Sequence, residues 1–106
     1  MVALLATPQK FDGKLIRVIG VLGIQPESNA LYLHEEDYDY GLTKNSFSLR
    51  LTEEQEKKFR VLNKKHVIVE GKFSANGPEA MDMTSGAIFD VYRLERWGPS
   101  DDVKPN

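Results

Sequence analysis

Two stretches of the chain share one pattern, and that pattern limits what the chain can become. Residues 14 to 24 read Lys-Leu-Ile-Arg-Val-Ile-Gly-Val-Leu-Gly-Ile, and residues 65 to 73 read Lys-His-Val-Ile-Val-Glu-Gly-Lys-Phe. Both begin Lys-x-apolar-x-Val-x-Gly, and both follow a turn, Asp12-Gly13 or Asn63-Lys64. Ile16, Val18, Leu22 and Ile24 fall on one face at period two, with Gly20 in their row. Val67, Val69 and Phe73 do the same around Gly71. A glycine inside a strand lets it bend or lets another backbone come close. Two such strands with a short helix between them predict a small β-barrel, closed or partly open.

The remaining elements fit around this pair. Ala30-Leu31-Tyr32-Leu33 predicts a second strand, with Leu31 and Leu33 opposite Tyr32 and His34. Phe47, Leu49 and Leu51 set the inward row of a third strand over 46–51. Thr52 with Gln55 fits a capping box, so a helix is expected over about 53–62. Glu53, Glu54 and Glu56 lie at its positive end, ahead of Lys57, Lys58 and Arg60. Phe59 and Leu62 share a face and can plug one mouth of the barrel. Residues 87–97 form a fifth strand whose alternation is imperfect. Ile88, Val91 and Leu94 are three apart, which predicts a bulge or a helical turn. Residues 2–6 are expected to form a short helix or turn that ends before Pro8 and packs Leu4 and Leu5 on a barrel end. Met81 and Met83, two apart, share a face on a strand and fill core or rim.

The class is therefore all-β with a short helix between strands three and four. One domain over 1–97 and a disordered tail over 98–106 are expected, since the tail holds two prolines and two adjacent aspartates. No cysteine is present, which excludes a disulfide scaffold and a thiol nucleophile. Fourteen Lys and Arg against sixteen Asp and Glu give a net charge of −2, with no general push toward nucleic acid. No stretch is long enough to span a membrane, and Met1-Val-Ala-Leu-Leu-Ala6 is too short for a secretory apolar region. A cytoplasmic protein is expected.

The order strand, strand, strand, helix, strand, strand resembles the oligonucleotide/oligosaccharide-binding (OB) fold. Ala6-Thr7-Pro8-Gln9-Lys10-Phe11-Asp12-Gly13-Lys14, then Val18-Ile19-Gly20, looks like the opening of many small bacterial members. Val69-Glu70-Gly71 matches their fourth strand. The segments 31–45 and 85–97 also look like a group of small uncharacterised bacterial proteins. The resemblance implies a binding face on strands two and three, which here carries Tyr32, His34, Ser48 and Arg50.

The least ordinary stretch is His34-Glu35-Glu36-Asp37-Tyr38-Asp39-Tyr40. Between Glu27 and Tyr40 there are five acids and no Lys or Arg. Read as a loop, it presents Tyr38 and Tyr40 in a negative field. Tyrosine is enriched at interface hot spots, and carboxylates repel phosphate backbones. The residues expected to bind a protein partner with a basic surface are Tyr32, His34, Glu35, Glu36, Asp37, Tyr38, Asp39 and Tyr40, oriented by Lys44 and Arg50. An inhibitor or immunity-type protein is the concrete form of this reading. The alternative is a single-stranded nucleic-acid binder, with Tyr32 stacking and Arg50 and the 57–65 lysines on phosphate. A saccharide or small-ligand module rests on the fold resemblance alone. Glu35, Asp37 and Asp39 alternate as in the first half of a calcium loop, but Gly41 comes one place late and position twelve is Ser46. His34 and His66 stand too far apart in sequence to suggest a metal site. No nucleophile has a base assigned to it. No metal, no cofactor and no catalysis are expected.

Overall fold

The computed structural model describes residues 2–25, 28–75 and 85–98. Met81, Met83 and the expected tail beyond Gly98 lie outside them. Five strands form a closed barrel: β1 (Leu15–Gln25), β2 (Ser28–Tyr32), β3 (Ser46–Leu49), β4 (His66–Ser74) and β5 (Ala87–Arg96). Around the barrel the order is β1-β2-β3-β5-β4, and β4 returns to β1. All neighbours are antiparallel except β3 and β5, which run parallel. Helix α1 (Val2–Ala6), α2 (Glu35–Tyr40) and α3 (Glu53–Phe59) decorate it, and α3 joins β3 to β4.

The two patterned strands pair with each other. In register, Ile16 faces Gly71, Val18 faces Val69, and Gly20 faces Val67. Each glycine thus lies across from an apolar residue of the other strand, and the repeat becomes self-complementary once one copy is reversed. The main core lies inside, on Val18, Leu22, Leu31, Phe47, Leu49, Val67, Val69, Phe73, Ile88, Val91 and Leu94. Phe47 and Phe73 meet edge to face at its centre, with ring centroids 5.4 Å apart. Leu4 of α1 is buried in the same core, and Phe59 and Leu62 from the α3 end pack against it.

Closure depends on an irregularity in β5. Phe89 pairs with Lys72 and Arg93 pairs with Glu70, so Asp90, Val91 and Tyr92 together face Gly71. Asp90 takes a left-handed backbone, φ 49°, which an aspartate tolerates better than a branched residue. The extra residues reset the alternation, so Ile88, Val91 and Leu94 all turn inward despite their spacing of three. Gly71 has no choice about its side chain. A Cβ there would stand 2.9 Å from the Phe89 carbonyl oxygen and 3.3 Å from the Val91 Cα.

The outer wall of β1, β4 and β5 carries a row of charges. Glu70 lies between Arg17 (3.4 Å) and Arg93 (2.8 Å), and Arg93 also pairs with Glu95. The hydrogen bond from Arg93, with Arg17 adding to it, holds the Glu70 carboxyl below its ordinary value of 4.5. A lowered carboxyl contributes stability above its unfolded value and loses it as pH falls through the folded value. Glu70→Gln is therefore expected to flatten the acid limb below about pH 4.5. The check is urea midpoints at neutral and acid pH; an acid limb unchanged by the substitution contradicts the assignment. Among the described residues no helix is long and apolar enough to cross a membrane.

Candidate functional site

The acidic tyrosine stretch is a helix, not a loop. Its first turn holds Glu35, Glu36 and Asp37, where negative charge meets the positive end of the dipole. Asp37 reaches back to accept the His34 backbone N–H at 2.9 Å, as the third residue of a capping box does. Gly41 ends the helix in the left-handed conformation, φ 64°. The Leu42 N–H then donates to the Asp37 carbonyl at 2.8 Å. The signals were present in sequence; alternating acids and tyrosines disguised them.

Helical spacing decides which side chains face out. Residues two apart on a helix point about 200° apart, so Tyr38 and Tyr40 cannot share a face. Tyr38 folds onto the outer wall of the barrel, where Val21, Ala30 and Tyr32 form a second small core. Tyr32 and Tyr38 meet edge to face at 5.6 Å. Tyr32 is only 8 % exposed, so its ring does not stand open for a base to stack on, contrary to the stacking role expected of it. Burial raises the Tyr32 pKa above its ordinary 10.0, with a smaller contribution from Tyr38. Tyr40 points away and is 78 % exposed. The same spacing turns Asp37 away from Glu35 and Asp39, which are four apart and both meet Lys64, so the three carboxylates do not converge as a calcium loop would require.

Three residues fasten α2 to the barrel. Asp37, 4 % exposed, accepts from Asn45 Nδ2 at 3.0 Å with its second oxygen. Asn63, just before β4, accepts the Ile24 N–H at 2.7 Å and donates to the Tyr38 hydroxyl at 3.1 Å. Lys64 follows, with its ammonium 3.2 Å from Asp39 and 3.8 Å from Glu35, and it also lies over the Tyr38 ring. The hydrogen bond to Asp39 leads the causes that raise the Lys64 pKa. Asn63 and Lys64 read locally as a turn, and their partners lie too far away in sequence to reveal the clamp.

Gly23 makes room for this arrangement. A Cβ there would sit 2.9 Å from the Tyr32 ring and 3.2 Å from Tyr38. Gly23→Ala is expected to cost about 1–2 kcal/mol through overpacking and to loosen α2 more than the barrel interior. Hydrogen exchange of the α2 amides against those of β4 checks this; equal loss in both contradicts it.

The ten residues expected at the site are thus divided. Tyr32, Asp37 and Tyr38 turn toward the barrel and support the helix. His34, Glu35, Glu36, Asp39 and Tyr40 stand on the exposed side, joined by Leu42, 47 % exposed. Lys44 is exposed on the short turn that follows, where its carbonyl accepts from the Ser85 hydroxyl at 2.6 Å. Arg50 is exposed beyond the far end of β3, the length of that strand away from α2. There it lines an apolar cleft of about 570 Å³ with Leu51, Phe89 and Val91. Beside α2, Glu35, Lys64, Lys65, His66, Arg96 and Trp97 line a second, more polar cleft of about 710 Å³.

No family model and no curated protein matches the chain. Its fold is similar to that of the OBody AM3L15, solved bound to hen egg-white lysozyme. The TM-score is 0.55 at 19 % identity, over 92 % of this chain and 88 % of that one. The five-stranded closed barrel is compatible with the OB-like fold that the sequence resembles.

Proposed function

We propose that this chain is a non-catalytic module that binds a protein partner through the solvent face of α2. Tyr40 is the anchor, Leu42 extends its apolar area, and Glu35, Glu36 and Asp39 form an acidic rim. The observation that carries the reading is the pairing of an almost fully exposed tyrosine with a helix whose other face is fastened to the barrel. A fixed support reduces the ordering cost of binding, and a central aromatic within a polar rim is the usual hot-spot arrangement. The OBody likeness supports it, because a barrel of similar fold serves there in a complex with a protein.

The rim favours a partner with a basic surface, since complementary charge steers encounter and excludes acidic competitors. An inhibitor or immunity-type role, occluding a basic site on its target, is the concrete form, and a cytoplasmic setting accompanies it. Tyr40→Ala with Glu36→Lys is expected to weaken capture of the partner by more than about tenfold, the effect of one hot-spot residue. Lys72→Ala, exposed toward the far end of β4 from Lys64, is expected to leave capture unchanged. A partner held equally by the double variant and by wild type would overturn the proposal.

A further inference from the structure

The polar cleft beside α2 is not used by the reading above, and its lining has a chemistry of its own. Lys64, Lys65 and Arg96 bring three cations to it, and Glu35 is the one carboxylate in its lining, with His66 and Asn63 completing the polar lining; the Lys64 ammonium is already paired with Asp39 and Glu35. Trp97 supplies a flat aromatic face that is 48 % exposed. In a chain of net charge −2, this is a local reversal of sign around an indole ring.

The walls are held firmly. Lys64 N–H donates to the Leu22 carbonyl at 2.7 Å, and Leu22 N–H donates to the Lys65 carbonyl at 3.0 Å. The Trp97 backbone N–H donates to the His66 carbonyl at 2.8 Å, which ties the main chain at Trp97 to the start of β4. The main chain that carries the cations and the ring is therefore held in place without a ligand.

We infer that this cleft binds an organic phosphate carrying a flat ring, of the size of a mononucleotide. Its phosphate would meet Lys65 and Arg96, and its ring would lie on Trp97. Cations suit phosphate oxygens, and base stacking on an aromatic side chain adds to them. The volume, about 710 Å³, is within the ordinary range for a small-molecule site. Glu35 borders the same cleft and lies near Lys64, so it opposes an incoming phosphate and competes for that ammonium.

Trp97 is the only tryptophan in the chain, so its fluorescence reports this cleft alone. Titration of the full chain with adenosine monophosphate at low salt is expected to quench it with a Kd of roughly 0.1–1 mM. Binding is expected to weaken as salt rises. Lys65→Gln with Arg96→Gln should weaken it by about tenfold or more. Glu35→Gln, an exposed change that leaves the barrel alone, should strengthen it severalfold. Adenosine without phosphate should bind much more weakly than the nucleotide. No quenching, quenching indifferent to salt, or equal quenching in the Lys65/Arg96 variant would overturn the inference. Quenching by a short single-stranded oligonucleotide with none by the mononucleotide would also overturn it, by assigning the cleft to a strand.

Discussion

Gly71→Val is expected to destabilise the protein by about 3 kcal/mol or more, near the upper end for overpacking. The reason is the identity of the neighbours. A side chain at position 71 meets the Phe89 carbonyl oxygen and the Val91 Cα, with the Ile88 side chain also at 3.0 Å. Two of these three are backbone atoms, so no rotamer change can clear the space. The bulge of β5 would have to withdraw, and Ile88 and Val91 would leave the core with it. Both are buried there, which adds lost packing to the collision. Lys72→Ala, exposed on the same strand, is the control and should lie within about 0.5 kcal/mol of wild type. Denaturant midpoints measure both, and a Gly71→Val protein as stable as the control would contradict the bulge.

Asp37→Asn is expected to cost about 1.5–3 kcal/mol, the range for hydrogen bonds to a charged group. The swap is nearly isosteric, so packing is spared. Its effect comes from the partners, which are both donors: the His34 backbone N–H and the Asn45 side-chain amide. A carboxylate accepts from both. An amide has one oxygen, and its NH2 must then face a donor. Asp39→Asn makes the same chemical change on the exposed side, where the Lys64 pair is open to water, and should alter stability little. The two variants thus separate the buried aspartate from the exposed one. If Asp37→Asn and Asp39→Asn prove equally mild, the capping role is wrong. Asp37→Asn should also weaken partner binding, although it touches no partner, because Tyr40 loses its fixed support.

The barrel was legible in the sequence because its signals are local. Glycine at positions 20 and 71 with apolar residues at period two implied two strands, and the structure pairs them. The spacing of Ile88, Val91 and Leu94 implied a bulge or a helical turn, and the structure has the bulge, at Asp90. The capping box of Thr52 and Gln55 stands, with Gln55 N–H donating to Thr52 Oγ1 at 3.1 Å. The helix it starts gives way to a tighter 3-10 turn at Arg60–Leu62, so the expected length was right and its regularity was not. The third strand ends at Leu49, before the expected Leu51.

The candidate site was half legible. Composition alone marked residues 34–40, but four acids and two tyrosines look like a solvated loop at any spacing. Local caps at Asp37 and Gly41 start and stop a helix there, but what holds it on the barrel is tertiary. The pocket for Tyr38 is built from Val21, Tyr32 and the bare Cα of Gly23, with Asn63 reaching it from before β4. None of these lies within a helical turn of Tyr38, so no window along the chain contains the reason. The same holds for the cleft beside α2, where Trp97 joins Lys65 only because β4 and β5 are paired.

The most direct test is backbone 15N relaxation across residues 34–42, read with the contacts of the Tyr38 ring. A helix fastened to the barrel predicts order parameters of about 0.85 for Glu35–Tyr40, and nuclear Overhauser contacts from Tyr38 to Tyr32 and Val21. Order parameters below about 0.6, with Tyr38 and Tyr40 showing the same solvent exposure, would contradict a fixed helix and remove the support on which Tyr40 is presented.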